Sequence, residues 1–217
     1  MAEPDLVAEC VSAMASSGLA STVKTRIGID DQDSYEFLHE LVEKVISAGC
    51  KTLIVHARKA WLQGLSPKQN REVPPLRYDI VYRVKQDFPE LEVILNGGVQ
   101  TLGAAEEHLE HVDGVMIGRE AYQNPYVLAD VDHRFYGGEI VKQRTEIVDH
   151  LIDYAALKVA EGVPVKSITR HVLGLFNGLP GARAWRRSLS QNAFKPGADE
   201  GVIRCAYEEF LLSGQTR

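Results

Sequence analysis

The chain has 217 residues, 45% of them hydrophobic and 25% charged, with a net charge of −6, an ordinary globular composition for one large domain or two small ones. It contains no apolar run near the roughly 20 residues of a membrane-spanning helix, and its opening MAEPDLVAEC lacks the basic and apolar regions of a secretory signal. Cys10, Cys50 and Cys205 are widely spaced with no CxxC, which excludes a disulfide framework or zinc site by pattern and suits a reducing cytoplasm.

A first helix is expected over 4–14, from its Pro start and apolar spacing. Four short apolar runs follow, at 21–27, 52–56, 92–95 and 114–117, and each reads as a buried strand. Amphipathic helices are expected between them, over 34–48, 78–88 and 102–109. Such βαβα alternation predicts a parallel sheet. Polar residues gather where the runs end: Lys24 and Arg26, His56 and Arg58, Asn96, and Arg119. The C-terminal edge of a parallel sheet is where α/β proteins place their chemistry. Beyond Gly137 and Gly138 the strand signal stops, and helices are expected over 140–161, 164–176, 182–192 and 202–212.

Asn96-Gly97-Gly98 follows the third run and Gly118-Arg119 the fourth. Glycines let backbone N–H groups approach a phosphate, and arginine adds a fork of donors. In eight-fold barrels the phosphate site is often built after strands 7 and 8, which makes the first run strand 5. Four βα units are half of such a barrel. The expected fold is therefore α/β: the later half of a TIM (β/α)8 barrel over 1–138, then an all-α helical domain over 139–217. Lys24, mid-strand in an apolar run, reads either as a cation beside a flavin N1–C2 carbonyl or as half of an internal ion pair. His56 reads as a flavin or substrate hydrogen-bonding group, or as a structural histidine.

The segment 57–76, ARKAWLQGLSPKQNREVPPL, is long for a loop in a compact domain and is expected to be functional. With Arg77 it carries Arg58, Lys59, Lys68 and Arg71 against the single acid Glu72. Residues 162–198 contain no Asp or Glu but six cations: Lys166, Arg170, Arg183, Arg186, Arg187 and Lys195. An acid-free basic stretch in an acidic protein points to a phosphate-backbone footprint. Trp185 within it is either a base-stacking ring or core.

The stretches VKTRIGIDDQDSYEFL, VHARKAWLQGLSPKQNRE, NGGV, DGVMIGREAYQNP and RHVLGLFNGLPGARAWRRSLS, taken in order, resemble the later part of the tRNA-dihydrouridine synthases, A-type bacterial subfamily. The resemblance implies a TIM barrel with a helical tRNA-binding domain and a reaction that reduces uridine in tRNA with FMN and NADPH. In that reaction a flavin hydride goes to C6 and a cysteine protonates C5. It assigns Lys24 and His56 to the flavin ring, and Asn96, Gly97, Gly98, Gly118 and Arg119 to its phosphate. Lys68, Arg71, Arg183 and Arg186 match tRNA contacts, and Arg58 is expected to face the substrate pocket. No metal and no membrane partner are implied.

The family's acid lies in an NxGCP-type loop after strand 4, and none of Cys10, Cys50 and Cys205 matches it. The chain is therefore expected to be a fragment that begins just after that loop and lacks the catalytic cysteine, inactive by itself. A non-catalytic RNA-binding remnant is the alternative, and a small-molecule FMN reductase a more distant one.

Overall fold

The computed structural model describes residues 1–138 and 141–215. By compactness the chain divides into two units, Met1–Gly118 and Arg119–Arg217. The division falls well before the expected boundary at 138/139, and residue 139 lies outside the described residues. The helices Arg119–Gln123 and Val131–Tyr136 are too short to show periodicity, so the sequence leaves their membership open.

The first unit runs α1 (Pro4–Ala15), β1 (Thr22–Arg26), α2 (Tyr35–Ser47), β2 (Thr52–His56), α3 (Tyr78–Asp87), β3 (Glu92–Asn96), α4 (Leu102–Leu109) and β4 (Gly114–Met116). The four strands form one parallel sheet in the order β1-β2-β3-β4. Local chemistry sets the boundaries. The Ser34 hydroxyl accepts from Phe37 N at 3.2 Å to start α2, and the Thr101 hydroxyl accepts from Ala104 N at 3.1 Å to start α4. Leu38, Leu41, Val42 and Val45 recur at helical spacing on α2 and are all buried. Each such side chain contributes at most about 1.5–3 kcal/mol.

Strand residues alternate between faces. Leu53, Val55, Val93 and Leu95 are fully buried, and Val23, of the same set, packs on the cluster of Val11 from α1, Leu41 and Val45 from α2, and Cys50 from the turn after it. That is the helix-covered side. The register aligns Lys24 with Ile54, Ile54 with Ile94, and Arg26, His56, Asn96 and Met116 in one row. These residues share the opposite, more open face.

The second unit consists, among the described residues, of helices and turns: α5 (Arg119–Gln123), α6 (Val131–Tyr136), α7 (Arg144–Ala160), α8 (Lys166–Thr169), α9 (Ala182–Asn192) and α10 (Gly201–Gln215). The helix expected over 140–161 is α7; its expected first residue, Ile140, lies outside the described residues. Val148, Ile152, Phe176, Trp185, Leu189 and Ile203 form the core. The helix expected over 164–176 is realised only as α8, and three-residue turns follow it, such as Leu175 N to Val172 O at 3.1 Å and Asn177 N to Gly174 O at 2.9 Å. Gly174 explains the break. A Cβ there would collide with the Gln123 carbonyl, so the chain is held where a regular helix with side chains would not fit.

Candidate functional site

The open face of the sheet carries a polar chain across three strands. Lys24 Nζ on β1 reaches past β2 and donates to Asn96 Oδ1 on β3 at 3.0 Å. Asn96 Nδ2 in turn donates to the Met116 carbonyl on β4 at 2.8 Å. The amide is thereby oriented with its oxygen towards the ammonium. Lys24 thus has a neutral partner and not the anionic one that burial would demand, because its side chain remains exposed. Partial desolvation, and then the nearby Arg26, still hold its pKa below the ordinary lysine value.

Beyond Asn96 the backbone turns through Gly97 (φ 112°) and Gly98 (φ 75°), a conformation that favours glycine. Space requires it as well. A Cβ on Gly97 would lie 2.5 Å from His56 Cδ2, and one on Gly98 2.5 Å from Leu76 Cδ1. His56, Asn96, Gly97 and Gly98 therefore converge in one place. Gly118 ends the first unit and Arg119 opens α5 of the second.

The loop between β2 and α3 is ordered by bonds that the sequence does not advertise. Asn70 accepts from Trp61 N at 2.8 Å and donates to the Trp61 carbonyl at 2.7 Å. Arg26 Nη1 donates to the carbonyls of Lys59 (2.8 Å) and Asn70 (2.9 Å), tying the loop to β1. Asp30, at φ 47°, accepts from Leu62 N at 2.8 Å, and short Asp side chains tolerate that left-handed region better than most. Lys59 pairs with Asp33 at 2.6 Å and lies 4.3 Å from the Trp61 ring centre. Arg58 Nη1 donates to the carbonyls of Pro74 and, at 3.3 Å, Glu72. These bonds tie its guanidinium to the far end of the loop. Lys68 and Arg71 are exposed on the loop. The Arg26 pKa is lowered first by burial and then by Arg71 and Arg58.

In the second unit, Trp185 is core: it is fully buried, its indole donates to the Val172 carbonyl at 3.1 Å, and its ring meets Phe176 edge-on at 4.9 Å. Arg183, Arg186 and Arg187 project from the opposite side of α9 and are exposed. Arg187 has Glu209 at 3.9 Å, whereas Arg183 and Arg186 have no ion-pair partner among the described residues. Arg170 Nε donates to His171 Nε2 at 2.9 Å, and His171 Nδ1 lies 3.1 Å from the exposed Tyr122 hydroxyl. Cys10 is on α1, Cys50 is buried on the helix side with its thiol donating to the Thr52 carbonyl at 3.2 Å, and Cys205 is on α10. Among the described residues no helix is long and apolar enough to cross a membrane, and no group of three or more His, Cys, Asp or Glu could hold a metal ion.

The first unit is a parallel βα sheet bearing a lysine–asparagine pair beside a double-glycine turn, and the second a helical unit with an acid-free stretch over 162–198. Residues 1–211 fit the family model described as dihydrouridine synthase, and the chain belongs to that family. It is 55% identical over 210 residues to the tRNA-dihydrouridine(20/20a) synthase of Shewanella oneidensis, covering 96% of this chain and 63% of that protein. The Vibrio cholerae protein of the same name is 55% identical over 209 residues (95% and 64%), and that of Yersinia pestis 53% over 206 residues (94% and 60%). The chain thus spans just under two thirds of the length of these relatives.

Proposed function

We propose that the first unit is four βα units of an FMN-binding (β/α)8 barrel and the second a tRNA-binding helical domain. Together they would serve the FMN- and NADPH-dependent reduction of uridine to 5,6-dihydrouridine in cytoplasmic tRNA. The names of the relatives point to the uridines at positions 20 and 20a. The observation that carries the reading is the Lys24–Asn96–Met116 chain, on the open face and leading directly into the Gly97-Gly98 turn. The residues present fit FMN: the turn has no room for a Cβ on its inner side, and the lysine is held by a neutral amide that leaves its charge uncompensated.

When bound, FMN would supply the hydride for uracil C6. Lys24 would set a cation beside the flavin N1–C2 region and favour negative charge on the ring. Asn96 orients that lysine, and His56 would be a second ring contact. Gly97, Gly98, Gly118 and Arg119 would hold the phosphate by N–H groups and a guanidinium fork. Lys68 and Arg71 on the loop, and Arg183 and Arg186 on α9, would meet the tRNA backbone. Arg58 would face the substrate pocket from the start of the loop.

One observation favours the second reading, an RNA-binding protein without catalysis. Cys50 is buried in the cluster on the helix-covered side of the sheet, away from the open face that carries Lys24 and Asn96, and Cys10 is on α1. The test is to incubate the chain with FMN, NADPH and tRNA free of dihydrouridine, and to analyse nucleoside digests by mass spectrometry. The expected result is bound flavin, bound tRNA, and dihydrouridine formed about 10²–10⁴-fold more slowly than by a relative that positions its general acid. Lys24→Ala should abolish the reduction. RNA binding with neither flavin nor reduction would establish the second reading, and failure to bind either ligand would sink both.

A further inference from the structure

The double-glycine turn is held from behind by the end of the long loop and the start of α3. Tyr78, the first residue of α3, donates its hydroxyl to the Gly97 carbonyl at 2.9 Å. Leu76, two residues earlier, is the atom group nearest to where a Gly98 Cβ would be, at 2.5 Å, and Tyr78 Oη is next at 2.8 Å. The other end of the loop joins in. Ala57 N donates to the Asn96 carbonyl at 2.9 Å, and Arg77 N donates to the Ala57 carbonyl at 2.8 Å. Loop ends and turn are one hydrogen-bonded assembly.

A trans peptide plane has its C=O and N–H pointing in opposite directions. Pinning the Gly97 carbonyl on the Tyr78 hydroxyl therefore directs the Gly98 N–H to the other side of the turn, away from α3. Among the described residues that N–H has no protein acceptor. Two left-handed glycines in succession give the backbone other choices, since glycine pays little steric penalty for rotating this plane. Some group must select one, and a bond to a single oxygen on a rigid ring does so. The ring itself packs against the His108 ring, with centres 4.4 Å apart. Burial raises the Tyr78 pKa, so its hydroxyl keeps the proton it donates.

We propose that Tyr78 is a positioning residue that aims the Gly98 N–H at the phosphate monoester of the flavin nucleotide. It touches neither flavin nor substrate; it acts through the Gly97–Gly98 peptide. The inference rests on the flavin reading above and names the residue that gives that site its preference for a phosphorylated ligand.

The experiment compares FMN with riboflavin, which lacks the phosphate, by fluorescence titration of the chain and of Tyr78→Phe. The variant loses one oxygen and keeps the ring, and its circular dichroism and thermal midpoint report folding. The chain should bind FMN more tightly than riboflavin. Tyr78→Phe should lose about fivefold to tenfold in FMN affinity, the worth of one oriented hydrogen bond to an anion, with riboflavin affinity unchanged. Tyr82→Phe, which removes a hydroxyl from the same aromatic cluster but not from Gly97, should keep the wild-type ratio. Equal loss of both ligands in Tyr78→Phe, or the same loss in Tyr82→Phe, would mean a merely structural role and overturn the proposal, as would an unchanged FMN affinity. A wild-type chain that does not distinguish FMN from riboflavin would fail at an earlier point, removing the phosphate site and this inference together.

Discussion

At the scale of single residues, the groups with unusual chemistry for their setting were legible and their supports were not. Lys24 stood out because a lysine in an apolar strand needs a reason, and Asn96-Gly97-Gly98 because consecutive glycines at a strand end imply a special backbone; the two turned out to be bonded to each other. Tyr78, Asn70 and Asp30 gave no such signal. Their role lies in which carbonyl or N–H they meet, and composition does not encode that. His108 is a similar case, and it has a measurable consequence. Only 9% exposed, it is packed by Tyr78 and Tyr82 and bonded to the Tyr82 hydroxyl. Burial lowers its pKa first, His111 lowers it further and Glu107 opposes them. The folded value is therefore below the unfolded value of about 6.5. Neutral His108 contributes its full stability above about pH 6.5. As pH falls below that, the unfolded chain takes up a proton that the folded chain refuses, and stability declines until the lowered folded value is passed. The urea midpoint should drop between about pH 7.5 and pH 5.5, and His108→Gln should flatten that drop. Parallel curves for the two proteins would show that other groups carry the effect.

At the scale of elements, periodicity located most helices and strands to within a residue or two, because each buries one face against a neighbour. The helix expected over 164–176 fared worse. Its apolar spacing is helical, but Gly174 has to pass against the Gln123 carbonyl, a contact about fifty positions away in sequence that no local pattern contains. α9 is a different case: its sequence spacing groups the arginines but leaves Trp185 open between a stacking ring and core, and the structure places the ring in the core. Trp185 fills the core while Arg183 and Arg186 face solvent. Trp185→Ala should then cost about 3–5 kcal/mol in urea unfolding through the cavity it leaves, and RNA binding should fail only as folding fails. Arg183→Ala with Arg186→Ala should shift stability by no more than about 0.5 kcal/mol while weakening tRNA binding. A double arginine variant that unfolds as readily as Trp185→Ala would contradict this division of labour.

At the scale of the whole molecule, a net charge of −6 argues against nucleic acid, and a protein that binds tRNA at that charge must sort its charges in space. Here the thirty acidic residues all lie outside 162–198, and α9 within that stretch presents arginines to solvent. A second cationic group, Arg26, Arg58 and Arg71, forms where the loop folds onto β1. Sequence could expose the first concentration because it is contiguous; the second needed the fold to bring together residues from a strand and a loop. Binding by such patches releases counterions from the RNA. Log affinity should therefore fall linearly with log salt, at a slope of about −0.7 to −0.9 per phosphate neutralised. Neutralising Arg183 and Arg186 together should make the slope shallower by about 1.4–1.8 if each meets one phosphate, and Lys68→Ala with Arg71→Ala should do the same from the loop. If the two sets meet separate phosphates, the changes in slope should add in the quadruple variant. Filter binding or fluorescence anisotropy over a salt series measures all four proteins. A slope that neither pair alters would show that tRNA is held elsewhere on the molecule, and a sub-additive quadruple would show that the two patches compete for the same stretch of backbone.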